Sequence, residues 1–119
     1  MSVREIIKAT KEYIESISSI KQEIKNIDIL LNNHQRQGKE RENLENIRNE
    51  LENKLTRLQN AMSSLNEEEQ KALCYRYFER MSQIELLEAL HYPKSKLYKT
   101  INNSLFKVGK ILFCIEILG

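Results

Sequence analysis

The side chains best suited to chemistry in this chain lie between Pro93 and Lys110, PKSKLYKTINNSLFKVGK. Five lysines and two asparagines fall here, and no carboxylate occurs between Glu88 and Glu116. Lysine reaches guanine acceptors and asparagine pairs with adenine's donor–acceptor edge, so cations interleaved with amides suit the major groove of a duplex. Leu97, Ile101, Leu105, Val108 and Leu112 recur at spacings of 4, 4, 3 and 4, which on a helix makes one buried stripe. Ser95, Lys96, Lys99, Asn102, Asn103 and Lys110 then face the other way. Base-edge roles go to Ser95, Lys96, Lys99 and Asn103, with Asn102 beside them. Phosphate roles go to Lys94, Tyr98, Lys107 and Lys110, joined by Ser82 and Gln83 at the start of the preceding helix. An ordinary solvated helix face is the plain alternative, and the organisation of the preceding residues weighs against it.

Those residues read as two short capped helices. Asn66 is an N-cap with Glu69 three residues on, and Glu67 and Glu68 place negative charge at the positive end of the helix dipole. Ala72, Leu73, Tyr75, Tyr77 and Phe78 follow in a helix expected to end near Arg80. Ser82 with Glu85 repeats the capping pattern. Leu86, Leu87 and Leu90 give that second helix its apolar face, and His91-Tyr92 makes a turn before Pro93 opens the third helix. The acidic first turn at 67–69 is expected to face away from phosphates or toward another protein. Arg76, between Tyr75 and Tyr77, reads as an amphipathic side chain lying over its own module. Phe106 points outward and reads as packing against the N-terminal helices.

This stretch, Leu65 to Val108, resembles region 4 of bacterial sigma factors and the phage transcriptional regulators of the ArpU type that share that module. The resemblance is carried by Leu65, Asn66, Glu67–Glu69, Tyr75-Arg76-Tyr77, Ser82 with Glu85, His91-Tyr92 and Pro93 onward. It departs from the pattern where His91 replaces the usual turn glycine, Leu87 an alanine at the helix crossing, and Pro93 a Ser or Thr cap. The resemblance implies a three-helix helix-turn-helix module, duplex DNA as partner, and a contact with RNA polymerase. The chain leaves no room for a promoter-melting region, so a complete sigma factor is not expected.

The rest of the chain must position this module. Residues 1–65 carry 11 basic and 10 acidic side chains, residues 66–90 carry 3 and 6, and residues 91–119 carry 5 and 1. The overall net charge of +2 therefore hides a positive carboxyl-terminal segment. Val3, Ile7, Ile14, Ile17, Ile24, Ile27 and Leu31 approximate an a/d heptad interrupted by Thr10 and Lys21, while Ile6, Tyr13, Ile20 and Leu30 widen the stripe. Residues 32–39 lose the period. Leu44, Ile47, Leu51, Leu55, Leu58, Met62 and Leu65 resume it. The expected architecture is all-α: residues 1–64 a long coiled-coil-like helical hairpin, residues 65–119 the helix-turn-helix module with an apolar tail, Ile111–Leu118, packed on the first helix. A homodimer is expected, because so small a module gains from added core and a two-fold pair can address two half-sites.

Cys74 and Cys114 lack metal-ligand spacing and read as buried thiols in a reducing compartment. His34 and His91 lack ligand partners, and no metal or cofactor is expected. No phosphate-binding glycine loop, nucleophile–histidine pair or carboxylate pair is present in recognisable form, so the chain is not expected to be an enzyme. Arg4, Glu5 and Lys8 precede any apolar run, which argues against a signal peptide, and the apolar tail is too short to span a bilayer. The expectation is a cytoplasmic, sequence-specific DNA-binding transcriptional regulator of phage or mobile-element kind. The DNA-recognition subunit of a phage terminase is one alternative. A coiled-coil adaptor that binds only protein is another.

Overall fold

The structure, a computed structural model, describes residues 1–33 and 37–114. His34, like Glu116 and the end of the apolar tail, lies outside them. The described residues are helical throughout, without a strand: α1 Val3–Glu15, α2 Ile17–Leu31, α3 Lys39–Met62, α4 Glu67–Leu73, α5 Gln83–Leu90 and α6 Lys94–Leu112. A π-helical turn, Cys74–Phe78, continues α4. No helix among the described residues is long and apolar enough to cross a membrane.

The long amino-terminal helix expected over residues 2–32 is two helices. Ser16, with φ −75° and ψ −12°, stands between them. Ser16, Ser18 and Ser19 cluster there, and serine hydroxyls compete for backbone groups in ways that weaken a helix interior. The buried face also differs from the heptad reading. Val3 is exposed and Ile7 only half-buried, whereas Ile6, Thr10 and Ile14 are buried. Thr10, taken in sequence as an interruption, is fully enclosed, its hydroxyl donating to the Ile6 carbonyl at 2.7 Å.

The chain forms two compact units, residues 1–15 with 58–119, and residues 16–57. The boundary expected between 64 and 65 is thus displaced at both ends, because α1 packs on α6. In the first unit α6 packs against α1, α4 and α5, enclosing Leu65, Ala72, Leu73, Leu86, Leu97, Leu105, Val108 and Leu112. Gly109 is what lets α1 approach. A Cβ there would lie 2.2 Å from Thr10 Oγ1 and 2.6 Å from Ile6 Cγ2. Phe113 meets Tyr13 edge-to-face at 6.3 Å and Leu112 is buried, whereas Ile111 and Cys114 are exposed, so only two of the described tail residues are turned inward. In the second unit Ile17, Ile20, Ile24, Ile27 and Leu51 are buried. Arg48 bonds Asp28, and Arg41 donates to the Leu31 carbonyl at 2.8 Å.

The expectation of two buried thiols is corrected. Cys74 is half-buried, and Cys114 is exposed with φ +52° just beyond α6. Burial, helped by Glu79, raises the Cys74 thiol above its ordinary pKa.

Candidate nucleic-acid interface

Both capping boxes form. Asn66 Oδ1 accepts from the Glu69 amide at 2.8 Å, and Glu69 Oε1 accepts from the Asn66 amide at 3.1 Å. Ser82 Oγ accepts from the Glu85 amide at 3.2 Å, and Glu85 Oε1 accepts from the Ser82 amide at 3.1 Å. These bonds hold Glu85 below the ordinary carboxylate range. The start of α5 is therefore already occupied by a carboxylate, which weakens it as a phosphate site. The Ser82 hydroxyl also bonds to the Glu85 carboxylate, and Gln83 beside it is exposed.

The run through α4 ends earlier than Arg80. In the π-turn the Glu79 amide reaches the Cys74 carbonyl at 2.9 Å, and the Met81 amide reaches Tyr75 at 2.9 Å. Arg80 follows with φ +54°. Arg76 is exposed and donates to the Met81 carbonyl at 3.3 Å, in line with an arginine lying over its own module. Tyr77 is half-buried, and that burial raises its phenol pKa against the opposing effect of Arg76. On α5 only Leu86 is fully buried, with Leu87 and Leu90 half-buried.

His91 closes α5 in the left-handed region at φ +56°, ψ +40°. Pro93 occupies the N-cap of α6 and supplies no side-chain hydrogen bond. The opening amides of α6, at Lys94, Ser95 and Lys96, thus lack a side-chain acceptor, unlike those of α4 and α5. The apolar stripe of α6 is buried at Leu97, Leu105, Val108 and Leu112 and half-buried at Ile101. Lys94, Ser95, Lys96, Tyr98, Lys99 and Asn103 are exposed, while Asn102 and Lys110 are half-buried. Gln83, Lys94, Ser95, Lys96, Tyr98 and Lys99 line one open depression. No carboxylate lines it.

The acidic turn of α4 does not face away from the lysines. Glu69, 9% exposed at its side chain, accepts from Lys107 Nζ at 2.8 Å. Its burial opposes ionisation, but the bonds from Lys107 and the Asn66 amide outweigh that, leaving its pKa lowered. Lys107, assigned to phosphate from sequence, is thereby held against the protein. Glu68 takes a looser pair, 3.7 Å from Lys96 Nζ, and the same ammonium lies 4.3 Å above the Tyr92 ring. The Tyr92 hydroxyl is buried without a partner in hydrogen-bonding geometry. Burial, with Glu68 adding to it, pushes its phenol up to about 12. Lys110 lies 4.9 Å over the Phe106 ring. Lys94 and Lys99 make no ion pair or hydrogen bond among the described residues.

Matched against known protein families, characterised proteins and solved structures, the chain finds no counterpart.

Eight of the eleven residues assigned from sequence remain available on or beside α6 and α5: Gln83, Lys94, Ser95, Tyr98, Lys99, Asn102, Asn103 and Lys110. Ser82 is part of a cap, Lys96 is drawn toward Glu68, and Lys107 is bound to Glu69. No group of three or more metal-ligating side chains occurs among the described residues. Sequence reasoning passed over Lys11. It lines a cavity of about 270 Å³ with Arg76, Gln83, Tyr98 and Asn102, and nothing in its own neighbourhood of sequence marks that placement.

Proposed function

We propose that this protein binds double-stranded DNA, with α5, the His91-Tyr92 turn and α6 acting as a helix-turn-helix and α6 entering the major groove. The observation that carries the reading is the depression lined by Gln83, Lys94, Ser95, Lys96, Tyr98 and Lys99. Cations, amide and hydroxyl groups line it without a carboxylate, on the exposed side of a helix whose other flank is clamped by hydrocarbon. Ser95, Lys99 and Asn103 take base edges, while Lys94, Tyr98 and Lys110 take phosphates. The uncapped amides at the start of α6 add to the attraction for phosphate. Lys107 is assigned to the fold instead. The resemblance to sigma region 4 supports a transcriptional regulator, and a homodimer whose α2–α3 hairpin pairs with a second copy suits two half-sites.

The test is fluorescence anisotropy on a labelled duplex across a salt series. Three or four phosphate contacts per subunit give a log–log slope near −3, and sequencing of captured genomic fragments separates a regulator's operators from packaging sites. One observation favours a second reading, a protein adaptor: Ile84, next to Gln83 on α5, is 70% exposed, and a protein partner would cover it. An adaptor shows no duplex binding at any salt concentration.

A further inference from the structure

Arg4, Lys8 and Lys11 follow one another at spacings of four and three on α1, so on a helix they fall within about 60° of one another. They form a basic stripe that the function proposed above does not use. All three are exposed. Lys11 lines the 270 Å³ cavity together with Arg76, Gln83, Tyr98 and Asn102. Gln83 and Tyr98 also border the lysine-lined depression on α6. The two hollows are therefore neighbours across those two side chains, and no carboxylate lines either of them. The mount is firm: Thr10 and Ile6 press on Gly109, and Tyr13 stacks edge-on against Phe113. The backbone that carries Lys11 is thus held at a fixed distance from α6, and only the exposed side chain is left to be ordered on binding.

We infer that α1 supplies a second hold on the duplex, with Lys11 contacting a backbone phosphate at the flank of the groove that receives α6. The inference rests on the duplex-binding reading above. The ligand atom is a phosphate oxygen: lysine is a compact point charge on a flexible stem, suited to phosphate and unselective toward sequence. The opposing charges on α1 are Glu5, Glu12 and Glu15. By helical position Glu5 and Glu12 lie to one side of the basic stripe, and Glu15 falls on its line one turn beyond Lys11. The phosphate thus belongs on the side of Lys11 toward Lys8, away from Glu15.

The experiment uses the full chain and several labelled duplexes of unrelated sequence, each about three helical turns long, titrated over a potassium chloride series. Lys11→Gln, Lys11→Arg and Lys99→Gln are compared with the unaltered protein. Lys11→Gln is expected to weaken binding uniformly across duplex sequences and to reduce the magnitude of the salt slope by about 0.9 per subunit. Lys11→Arg, which keeps the charge, is expected to bind as the unaltered protein does. If Lys99→Gln weakens binding while Lys11→Gln leaves affinity and slope unchanged, the inference is overturned and the duplex-binding reading stands. An equal loss in Lys11→Arg and Lys11→Gln also overturns it, since the charge is then not what matters. If the unaltered protein binds no duplex, both fall together.

Discussion

Glu69 does two jobs with its two oxygens. One closes the cap of α4 at the Asn66 amide, and the other accepts from Lys107 on α6. The first was legible in the sequence, because cap and carboxylate are three residues apart and the pattern is local. The second was not, because 38 residues separate Glu69 from Lys107 and only the packing of α4 on α6 joins them. The consequence is a fold contact that titrates. Glu69 has its pKa lowered in the folded protein, so its contribution is complete above the ordinary carboxylate value of 4.5 and is lost as pH falls through the lower folded value. Lys107→Met keeps the apolar stem and removes the charge. It is expected to cost about 1 kcal/mol at neutral pH, the pair being half open to solvent. The gap from the unaltered protein should close as the pH is taken well below 4.5. Thermal denaturation followed by circular dichroism across pH checks this, and a gap independent of pH would remove the pairing from the explanation.

At the scale of elements, two contacts decide how α6 is held. The first is the turn. His91 adopts φ +56°, a region where a residue with a Cβ is strained by roughly 1–2 kcal/mol, less for histidine than for most. Glycine removes that strain but adds unfolded-state freedom worth about 0.5–1 kcal/mol. The strain is the larger quantity, so His91→Gly is expected to raise the melting temperature by a few degrees, read by calorimetry. A fall would mean that the imidazole makes a stabilising contact of its own. The second contact is the crossing of α1 and α6. Gly109→Ala would improve helix propensity by about 1 kcal/mol, yet its Cβ would arrive 2.2 Å from Thr10 Oγ1 and 2.6 Å from Ile6 Cγ2. Both are short β-branched side chains, fully buried and with little room to turn aside, so overpacking of about 1–3 kcal/mol outweighs the propensity gain. The substitution is expected to lower stability in urea denaturation, and adding Thr10→Ala, which removes the nearest atom, should recover part of the loss. This crossing was invisible in the sequence. Small residues in two distant helices carry no periodic signal, and the heptad reading counted Thr10 as a flaw. The caps, the turn and the stripe of α6 were legible because each is fixed within a few residues.

At the scale of the molecule, the two compact units differ in how much apolar surface they enclose. Residues 1–15 with 58–119 bury Leu73, Leu86, Leu105 and Leu112 almost completely, each at 1% exposure or less. Residues 16–57 bury four isoleucines and Leu51, all at 3–8%, and leave Ile47 at 47% although it shares a helical stripe with Leu51. Two helices with so small a core are marginal by themselves. Backbone amides of α2 and of α3 before Leu58 are therefore expected to exchange with solvent deuterium faster than those of α6, since local opening there exposes less hydrocarbon. The proposed homodimer adds a concentration term. If a second copy covers the Ile47 side of α3, dilution should speed exchange in α2 and α3 while leaving α6 unchanged, because association stabilises only the surface it buries. Exchange measured at two protein concentrations a hundredfold apart separates the cases, since the free-monomer fraction of a dimer then changes about tenfold, worth about 1.4 kcal/mol, when both concentrations far exceed the dissociation constant. Protection in α2 and α3 that is already equal to that of α6 and insensitive to dilution would remove the dimer from the proposal, leaving each α6 to find its half-site alone.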